Sequence, residues 1–172
     1  MKKVLLRAPV LSKSGYGEHS RQILRYLLEK PNLDVSIQVL HWGMTPWSVN
    51  HDDENGLIGE ALKRTAPDDA KNYDVSIQVQ LPNEWDTTYA KYNVGVTAGV
   101  ETDICSPLWT SVHCEKMDKV IVPSEHTKKT LVKSALTKVN IDVVPEAYYE
   151  ELRNDYDDLS LNLDTKFNFF NN

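Results

Sequence analysis

The sequence predicts an α/β fold: a single domain built on a Rossmann-like, doubly wound, mostly parallel sheet. Three observations support this prediction. Between Lys3 and Lys30 a short apolar run leads through two glycines into a helical pattern. Strand-like and helix-like patterns then alternate as far as Pro145, and the hexamer DVSIQV occurs twice, at 34–39 and 74–79. Alternation of this kind indicates parallel strands with helices on both faces of the sheet.

The first unit reads as a strand, a glycine loop and a helix. Val4 to Leu6 form an apolar run typical of a strand covered on both faces, and Gly15 and Gly17 mark its exit. From Glu18 the apolar residues follow the spacing of one helix face. Such a helix start directs backbone N–H groups and a positive dipole end into the loop, where glycines admit an anion. We therefore predict a phosphate-bearing ligand at 14–18; turn geometry alone is the alternative explanation of the glycines.

The later elements continue the alternation. Both hexamers have the period-two pattern of strands with one wetter face, and Leu57 to Leu62 suggest a short helix. A strand at 93–98 is followed by a helix that begins at Ser106 and Pro107, a capping hydroxyl and a proline at the first helical position. The remaining elements are a strand at 119–122, a helix and a strand at 140–144. The inner face of that last helix is predicted at Leu131, Val132, Ala135 and Leu136.

Ligands in such sheets bind beyond the carboxyl ends of the strands. This rule brings four segments to one edge, namely 12–17, 41–47, 99–103 and 123–126. The third segment carries Glu101 and Asp103. A carboxylate at a strand end can accept a proton from an acceptor hydroxyl or hold a sugar by charge-assisted hydrogen bonds. The alternative is that both residues cap the helix that begins near Ser106.

Other polar and aromatic residues leave two interpretations open. His19 and His126 lie at predicted helix starts on this edge, where they either bind a ligand or are simply half-exposed polar residues. Trp42, Trp47 and Trp85 either stack on a sugar or an apolar acceptor, or pack in the core or in a lid.

Composition restricts the function classes. The chain has 172 residues, a net charge of −6 and a pI near 5.3, which count against a surface that binds nucleic acid or anionic lipid. The two cysteines, Cys105 and Cys114, match no zinc spacing, and no pair of the five histidines has metal-ligand spacing. So few cysteines indicate reduced thiols and a cytoplasmic protein. No stretch is apolar enough to span a bilayer, so membrane contact would be peripheral.

The end of the chain changes character. Residues 1–149 form the predicted domain, and 150–165 are acidic and polar, as in a linker. Residues 166–172 contain the strand-like run KFNFF. This run is either an edge strand of the same sheet or the first strand of a second domain that is missing or truncated.

Three motifs together resemble a known family. They are Gly15-Tyr16-Gly17 before the first helix, the run GVETD at 99–103, and the run MDKVIVPSEHTK at 117–128. In this combination the chain resembles the amino-terminal half of GT-B glycosyltransferases of the group-1/family-4 type. The likeness covers roughly the whole chain, and the third motif is the most specific of the three.

The resemblance implies an enzyme that moves a sugar from a nucleotide-sugar donor to an acceptor, with no metal or other cofactor. Gly15 and Gly17 would contact the diphosphate, and Ser14 and Tyr16 would line the cleft with His19 nearby. Glu101 and Asp103 would lie near the reacting sugar. Ser124 and Glu125 would contact the acceptor or the second domain. Each of these roles is implied by the likeness to the family.

The second half of the family pattern is missing from this sequence. The carboxyl-terminal domain would supply the nucleotide pocket and two glutamates eight positions apart, and no pair of glutamates here has that spacing. Hexosyl transfer would therefore need a second domain, either downstream or as a separate partner chain. Two other functions stay open. One is a non-catalytic module that binds a phosphorylated ligand or a partner protein.

The other is a small nucleotide-dependent enzyme. The dinucleotide fingerprint argues against it, because its third glycine position is Ser20. The acidic residue expected after the second strand is also replaced, by Leu40, His41 and Trp42.

Overall fold

A computed structural model of the protein describes residues 1–67 and 69–147. Six strands form one parallel sheet in the order β2-β1-β3-β4-β5-β6. The strands are β1 (Lys2–Ala8), β2 (Leu33–Val39), β3 (Tyr73–Val79), β4 (Ala90–Val96), β5 (Lys119–Val122) and β6 (Ile141–Val143). The helices are α1 (Gly15–Leu28), α2 (Leu57–Lys63) and α3 (Glu125–Ser134). The predicted Rossmann-like α/β class is confirmed, while the linker at 150–165 and the strand at 166–172 lie outside the described residues.

Each face of the sheet has its own apolar core. Paired residues of parallel strands point to the same face, so Val4, Val35 and Val75 lie together on what we call the α1 face. There Leu24 and Leu27 of α1 pack on β1 and β2. On the opposite face, here the α3 face, the core has contributions from β5, β6, α3 and the segment before β5. Its buried members are Trp85, Cys105, Cys114, Met117, Val120, Val122, Leu131 and Ile141.

The two copies of the hexamer have different surroundings. In β2, Val35 and Ile37 are buried under α1 and α2. In β3 the corresponding Val75 and Ile77 are only half-buried, whereas the polar residues Ser76 and Gln78 are fully buried. The prediction that the polar side of β3 is the more solvent-exposed one is therefore wrong.

The polar side of β3 is buried because hydrogen bonds satisfy it. Gln78 donates to Ser76 Oγ over 3.0 Å and to the Asp86 carbonyl over 2.6 Å, and it accepts from the Asp86 N–H over 2.9 Å. Ser76 in turn donates to Asn93 Oδ1 over 2.7 Å. The loop after β3 supplies these partners, so burial leaves no polar atom of the pair without a hydrogen bond.

Other boundaries also differ from the sequence prediction. Helix α1 begins at Gly15 rather than at Glu18, so both glycines belong to its first turn. The helix expected from Ser106 is observed as a π-helical segment, Trp109–His113, followed by a 3₁₀ turn, Cys114–Lys116. On α3, Leu131 is buried as predicted, but Val132 and Leu136 are 52% and 93% exposed. Two threonines, Thr127 and Thr130, complete its buried face.

Cys105 and Cys114 are both free and buried in the core of the α3 face. Burial raises the pKa of the Cys114 thiol to about 12, with smaller contributions from Cys105 and Glu115. Cys114 is therefore a protonated, packed thiol at neutral pH. Among the described residues, no helix combines the length and apolar character required to cross a bilayer.

Gly95 on β4 provides a test of packing on the α3 face. A Cβ built on Gly95 would lie 2.6 Å from Cζ2 of the buried Trp85 ring. The Trp85 indole is held by its hydrogen bond of 3.1 Å to the Gln78 carbonyl, so it cannot move without cost. We expect Gly95→Ala to lower the free energy of unfolding by about 1–3 kcal/mol, measured by urea denaturation.

Gly15→Ala is the matched control, because a Cβ built on Gly15 meets nothing within 4 Å. Gly15 is the first residue of α1, so this variant should unfold close to the wild-type urea midpoint. A Gly95→Ala protein with the wild-type urea midpoint would contradict the proposed packing.

Candidate functional site

The carboxyl ends of the strands bring the predicted segments together. Ser12 is within 2.6 Å of the Thr45 hydroxyl through its Oγ, and its backbone forms a bridge to Trp47. The hydroxyl of Thr127 donates to the Ala98 carbonyl over 2.8 Å, which joins the start of α3 to the segment after β4. The strand order reverses between β1 and β3, so this edge includes the topological switch point where such sheets bind ligands.

The two glycines of the first motif have different roles. Ser14 caps α1, because its Oγ accepts from the Gly17 N–H over 3.1 Å. A Cβ on Gly17 would be 1.9 Å from the Ser12 carbonyl oxygen, so Gly17 is needed for the close packing of helix and loop. Gly15 has open space at its Cβ position instead. A ligand can therefore approach the helix start at Gly15, whereas Gly17 serves the fold.

Tyr16 connects α1 directly to the end of β4. Its hydroxyl is 3.0 Å from Thr97 Oγ1 and accepts from the Ala98 N–H over 2.9 Å. Its ring stacks on Trp42, with ring centroids 3.9 Å apart. Burial raises the pKa of Tyr16, more than the hydrogen bonds from Thr97 and Ala98 lower it. Tyr16 is thus a neutral phenol that fixes the distance between the helix start and the segment that leads to Glu101.

Arg21 holds the connection between β1 and α1. Its guanidinium donates to the carbonyls of Val10 and Ser12 over 3.1 and 2.9 Å. It also pairs with Glu18 at 2.8 Å and with Glu54 at 3.4 Å. Arg21 is buried, so four oxygens of three separate segments converge on one cation shielded from water. No signal in the sequence identifies this residue, because an arginine on an amphipathic helix resembles any solvent-facing charge.

An open polar cavity of about 680 Å³ lies beside the start of α1. The lining residues belong to the end of the β1–α1 loop, to α1 and to the loop before α2. They are Lys13, Ser14, Gly15, Glu18, Arg21, Ser48, Asp53 and Glu54. Ser48 donates to Asp53, and Arg25 pairs with Glu54, so much of the wall is fixed by its own hydrogen bonds. The cavity therefore combines a helix start, the Lys13 side chain and an ordered polar wall.

The predicted acidic pair has a different setting. Glu101 and Asp103 are both exposed. Asp103 pairs with Lys133 of α3 at 2.5 Å, and this contact lowers the pKa of the Asp103 carboxyl. The segment is close to α3 because Gly99, with φ of 77°, sits where a Cβ would be 2.5 Å from Thr127 Cγ2. The two carboxylates thus share the sheet edge with the start of α1. Neither of them lines the cavity described above.

The remaining predicted residues divide between capping and packing. Ser124 caps α3 by accepting from the Thr127 N–H over 3.1 Å, and Glu125 is exposed in the first turn, at the positive end of the helix dipole. His19 is only 8% exposed, so of its two alternatives that of a half-exposed polar residue is wrong. It lies in the second turn of α1 with Nδ1 3.2 Å from Glu146. His126 is exposed.

The three tryptophans predicted either to stack on a ligand or to pack in the core have different environments. Trp85 is a core residue of the α3 face, and Trp47 is half-buried against the core of the α1 face with its ring 4.6 Å from His41. Trp42 is half-exposed and stacks on Tyr16 at the sheet edge, so it is the one of the three next to the helix start. In the part of the chain that the structure describes, no three His, Cys, Asp or Glu residues form a group that could hold a metal ion.

Comparisons with known protein families, with curated proteins and with solved structures find no match for this chain.

Removing the buried cation should destabilise the protein. We expect Arg21→Met to lower the free energy of unfolding by about 1–3 kcal/mol, because the carbonyls of Val10 and Ser12 would lose their buried donor. The matched control is Lys133→Met, which breaks the exposed pair with Asp103. An exposed pair contributes little to stability, so this variant should unfold close to the wild-type midpoint, and chemical denaturation measures both changes. Equal losses in the two variants would contradict the anchoring role of Arg21.

His19 should make the stability depend on pH. Burial lowers the pKa of His19, and the nearby Glu146 raises it by less, so the contact at 3.2 Å is best described as a neutral imidazole donating to the carboxylate. The unfolded chain, with a histidine pKa of about 6.5, then binds the proton more readily. The stability is complete above that pH and falls as the pH drops through it toward the lower pKa of the folded protein.

We expect the urea midpoint of the wild type to fall more than that of His19→Gln between pH 7.5 and pH 5.5. If pairing with Glu146 outweighed burial, the wild type would instead gain stability relative to the variant on acidification. That result would show that the imidazole is charged in the folded protein.

Proposed function

We propose that this chain is the amino-terminal, acceptor-side half of a GT-B glycosyltransferase that moves a hexose from a nucleotide-sugar to an acceptor. The observation that carries the proposal is the start of α1, where the Gly15-Tyr16-Gly17 motif lies beside an open polar cavity next to the switch point. The motif resembles the loop that contacts the donor diphosphate in that family. The open approach at Gly15 supports this role.

The helix start at this cavity suits a diphosphate, because the carboxylates of the wall are engaged: Glu18 and Glu54 pair with Arg21 and Arg25, and Asp53 accepts from Ser48. The first-turn N–H groups of a helix have no acceptor inside the helix, and the dipole favours an anion at that end. Lys13 lines the same wall and would add a positive charge. Donors fixed in advance stabilise the charge that develops on a leaving diphosphate without rearranging during the reaction. The Arg21 anchor keeps the loop in the shape that this function would require.

Tyr16 relates this phosphate site to the acceptor side. Through Thr97 and Ala98 it fixes the segment that continues to Glu101. In the proposed enzyme Glu101 takes part near the reacting sugar, while Ser124 and Glu125 contact the acceptor or the second domain. The nucleotide pocket belongs to a carboxyl-terminal domain, supplied downstream or by a separate chain. The donor is a substrate, and the proposal needs no metal.

A non-catalytic binding module is the second candidate. It is favoured by the position of Asp103, whose carboxylate is engaged by Lys133 and lies outside the cavity lining. In this case the cavity beside Gly15 would bind a phosphorylated ligand without sugar transfer.

A titration of the full chain with inorganic pyrophosphate, followed by amide NMR shifts, tests the phosphate site. We expect shifts centred on residues 14–18, and a Kd at least about tenfold weaker in Gly15→Val, because the new side chain occupies the open approach; this corresponds to about 1.4 kcal/mol. Glu125→Val is the matched control, since it changes the first residue of another helix on the same edge. It should leave the Kd unchanged.

Equal weakening by the two variants, or shifts away from 14–18, would contradict the site. Competition separates the two functions. A transferase half requires that a UDP-, GDP- or ADP-sugar displace pyrophosphate from residues 14–18. Retention of pyrophosphate against all three donors, with the site intact, would favour the binding module.

A further inference from the structure

Trp42 is an aromatic residue at the carboxyl edge that the phosphate site does not use. It is half-exposed, and its ring stacks on Tyr16 with centroids 3.9 Å apart and planes 20° apart. Tyr16 and Trp47 pack on the core of the α1 face, and Trp85 is buried in that of the α3 face. Within residues 1–67 and 69–147, Trp42 packs on neither core. Its solvent-facing surface is therefore available to a ligand.

The position of the Trp42 ring is fixed from two sides. Tyr16, on which it stacks, accepts at its hydroxyl from the N–H of Ala98 over 2.9 Å. The turn that carries Trp42 is closed by Thr45, which donates to the Trp42 carbonyl from its N–H over 3.3 Å and from its hydroxyl over 2.7 Å. The Thr45 hydroxyl is also 2.6 Å from Ser12 Oγ. A ring that is ordered in advance loses little conformational entropy when a ligand binds to it.

Polar groups accompany this ring. Within the described ranges no atom accepts a hydrogen bond from the Trp42 indole N–H, and this nitrogen is not among the buried unpaired ones. It therefore faces solvent and can donate to a ligand, unlike the indole N–H of Trp85, which donates to a backbone carbonyl. Tyr16 also holds Ala98, and the chain continues from there to the exposed carboxylate of Glu101. An aromatic surface, a donor and a carboxylate thus occur at the same edge.

These features fit a sugar better than an apolar chain. The C–H face of a pyranose packs on an aromatic ring, while its hydroxyls bind N–H donors and carboxylates. A lipid would need a wide apolar patch, whereas Trp42 is flanked by the exposed polar His41 and by Gly43. Met44 is the other apolar side chain of the turn and is fully exposed. The apolar surface here therefore consists of one indole and one methionine, which is too little for a lipid chain.

We propose that Trp42 forms the acceptor subsite of this protein and that the acceptor is a saccharide, with one pyranose ring stacked on the indole. The inference rests on the proposed glycosyltransferase function and names the acceptor class. Gly15, at the open approach to the phosphate site, directly precedes Tyr16 in α1, and Tyr16 carries the Trp42 ring. A sugar on Trp42 is thus close to the donor diphosphate, which is the proximity that transfer between the two substrates requires.

Indole and amide N–H signals in NMR of the full chain test the subsite. The chain has four tryptophans, so the Trp42 indole signal is assigned by its loss in Trp42→Phe. We expect a saturable shift of that signal with the methyl glycoside of glucose, mannose, galactose or N-acetylglucosamine. Trp42→Ala should weaken the Kd for that glycoside, measured from amide shifts, at least about tenfold, because the stacking surface is lost. Tyr92→Ala is the matched control, since it removes a 43% exposed aromatic side chain of β4, and it should leave the Kd unchanged.

The outcomes separate this inference from the proposed function. The lack of a glycoside shift at Trp42 in the wild type, or equal Kd values in wild type and Trp42→Ala, would overturn the subsite. Displacement of pyrophosphate from residues 14–18 by a nucleotide-sugar would then still support the transferase half. A tighter response of Trp42 to uridine or adenosine than to every glycoside would also overturn the subsite and would assign the ring to a nucleobase. Glycoside binding at Trp42, together with pyrophosphate that no donor displaces, would support the sugar site and contradict sugar transfer.

Discussion

The geometry of the sheet edge depends on the buried guanidinium of Arg21. It lies under the β1–α1 connection and donates to the carbonyls of Val10 and Ser12. Buried carbonyls without a donor would cost the full price of desolvation. The same cation keeps Glu18 and Glu54 near each other without repulsion. Loop, helix and the segment before α2 are thus joined at one residue.

The contacts of Arg21 also determine the positions of the other residues at this edge of the sheet. Once the loop is fixed, the Ser12 hydroxyl donates to Ser14 over 2.8 Å, and Ser14 caps α1. The capped helix then places Tyr16 on Trp42 and on the end of β4. A series of short polar contacts therefore fixes the end of β4 relative to the β1–α1 loop. This is the kind of support that holds a binding site rigidly while one glycine, Gly15, leaves it accessible.

Much of this fold could be predicted from the sequence, because the relevant signals are local. Within residues 1–67 and 69–147, apolar runs and helical spacing identified the six strands and the three helices, and the rule that ligands bind at the carboxyl ends of the strands brought the predicted segments to one edge. The predictions were wrong where contacts with residues distant in the sequence determine the environment of a side chain. The polar side of β3 looked solvent-facing because its partner Asp86 lies in a loop with no pattern of its own. Neither Lys133, the partner of Asp103, nor the carbonyls that Arg21 binds could be identified from spacing.

The position of β1 between β2 and β3 affects how the chain can fold during synthesis. Its partner β2 follows within one helix, so this pair can form early. Its other partner is β3, with pairs from Val4–Val75 to Arg7–Gln78. At ribosomal rates of about 5–20 residues per second, the second edge of β1 waits several seconds before those residues emerge. During that interval the nascent protein has an unpaired edge on an interior strand of its future sheet, a surface with which other chains can pair.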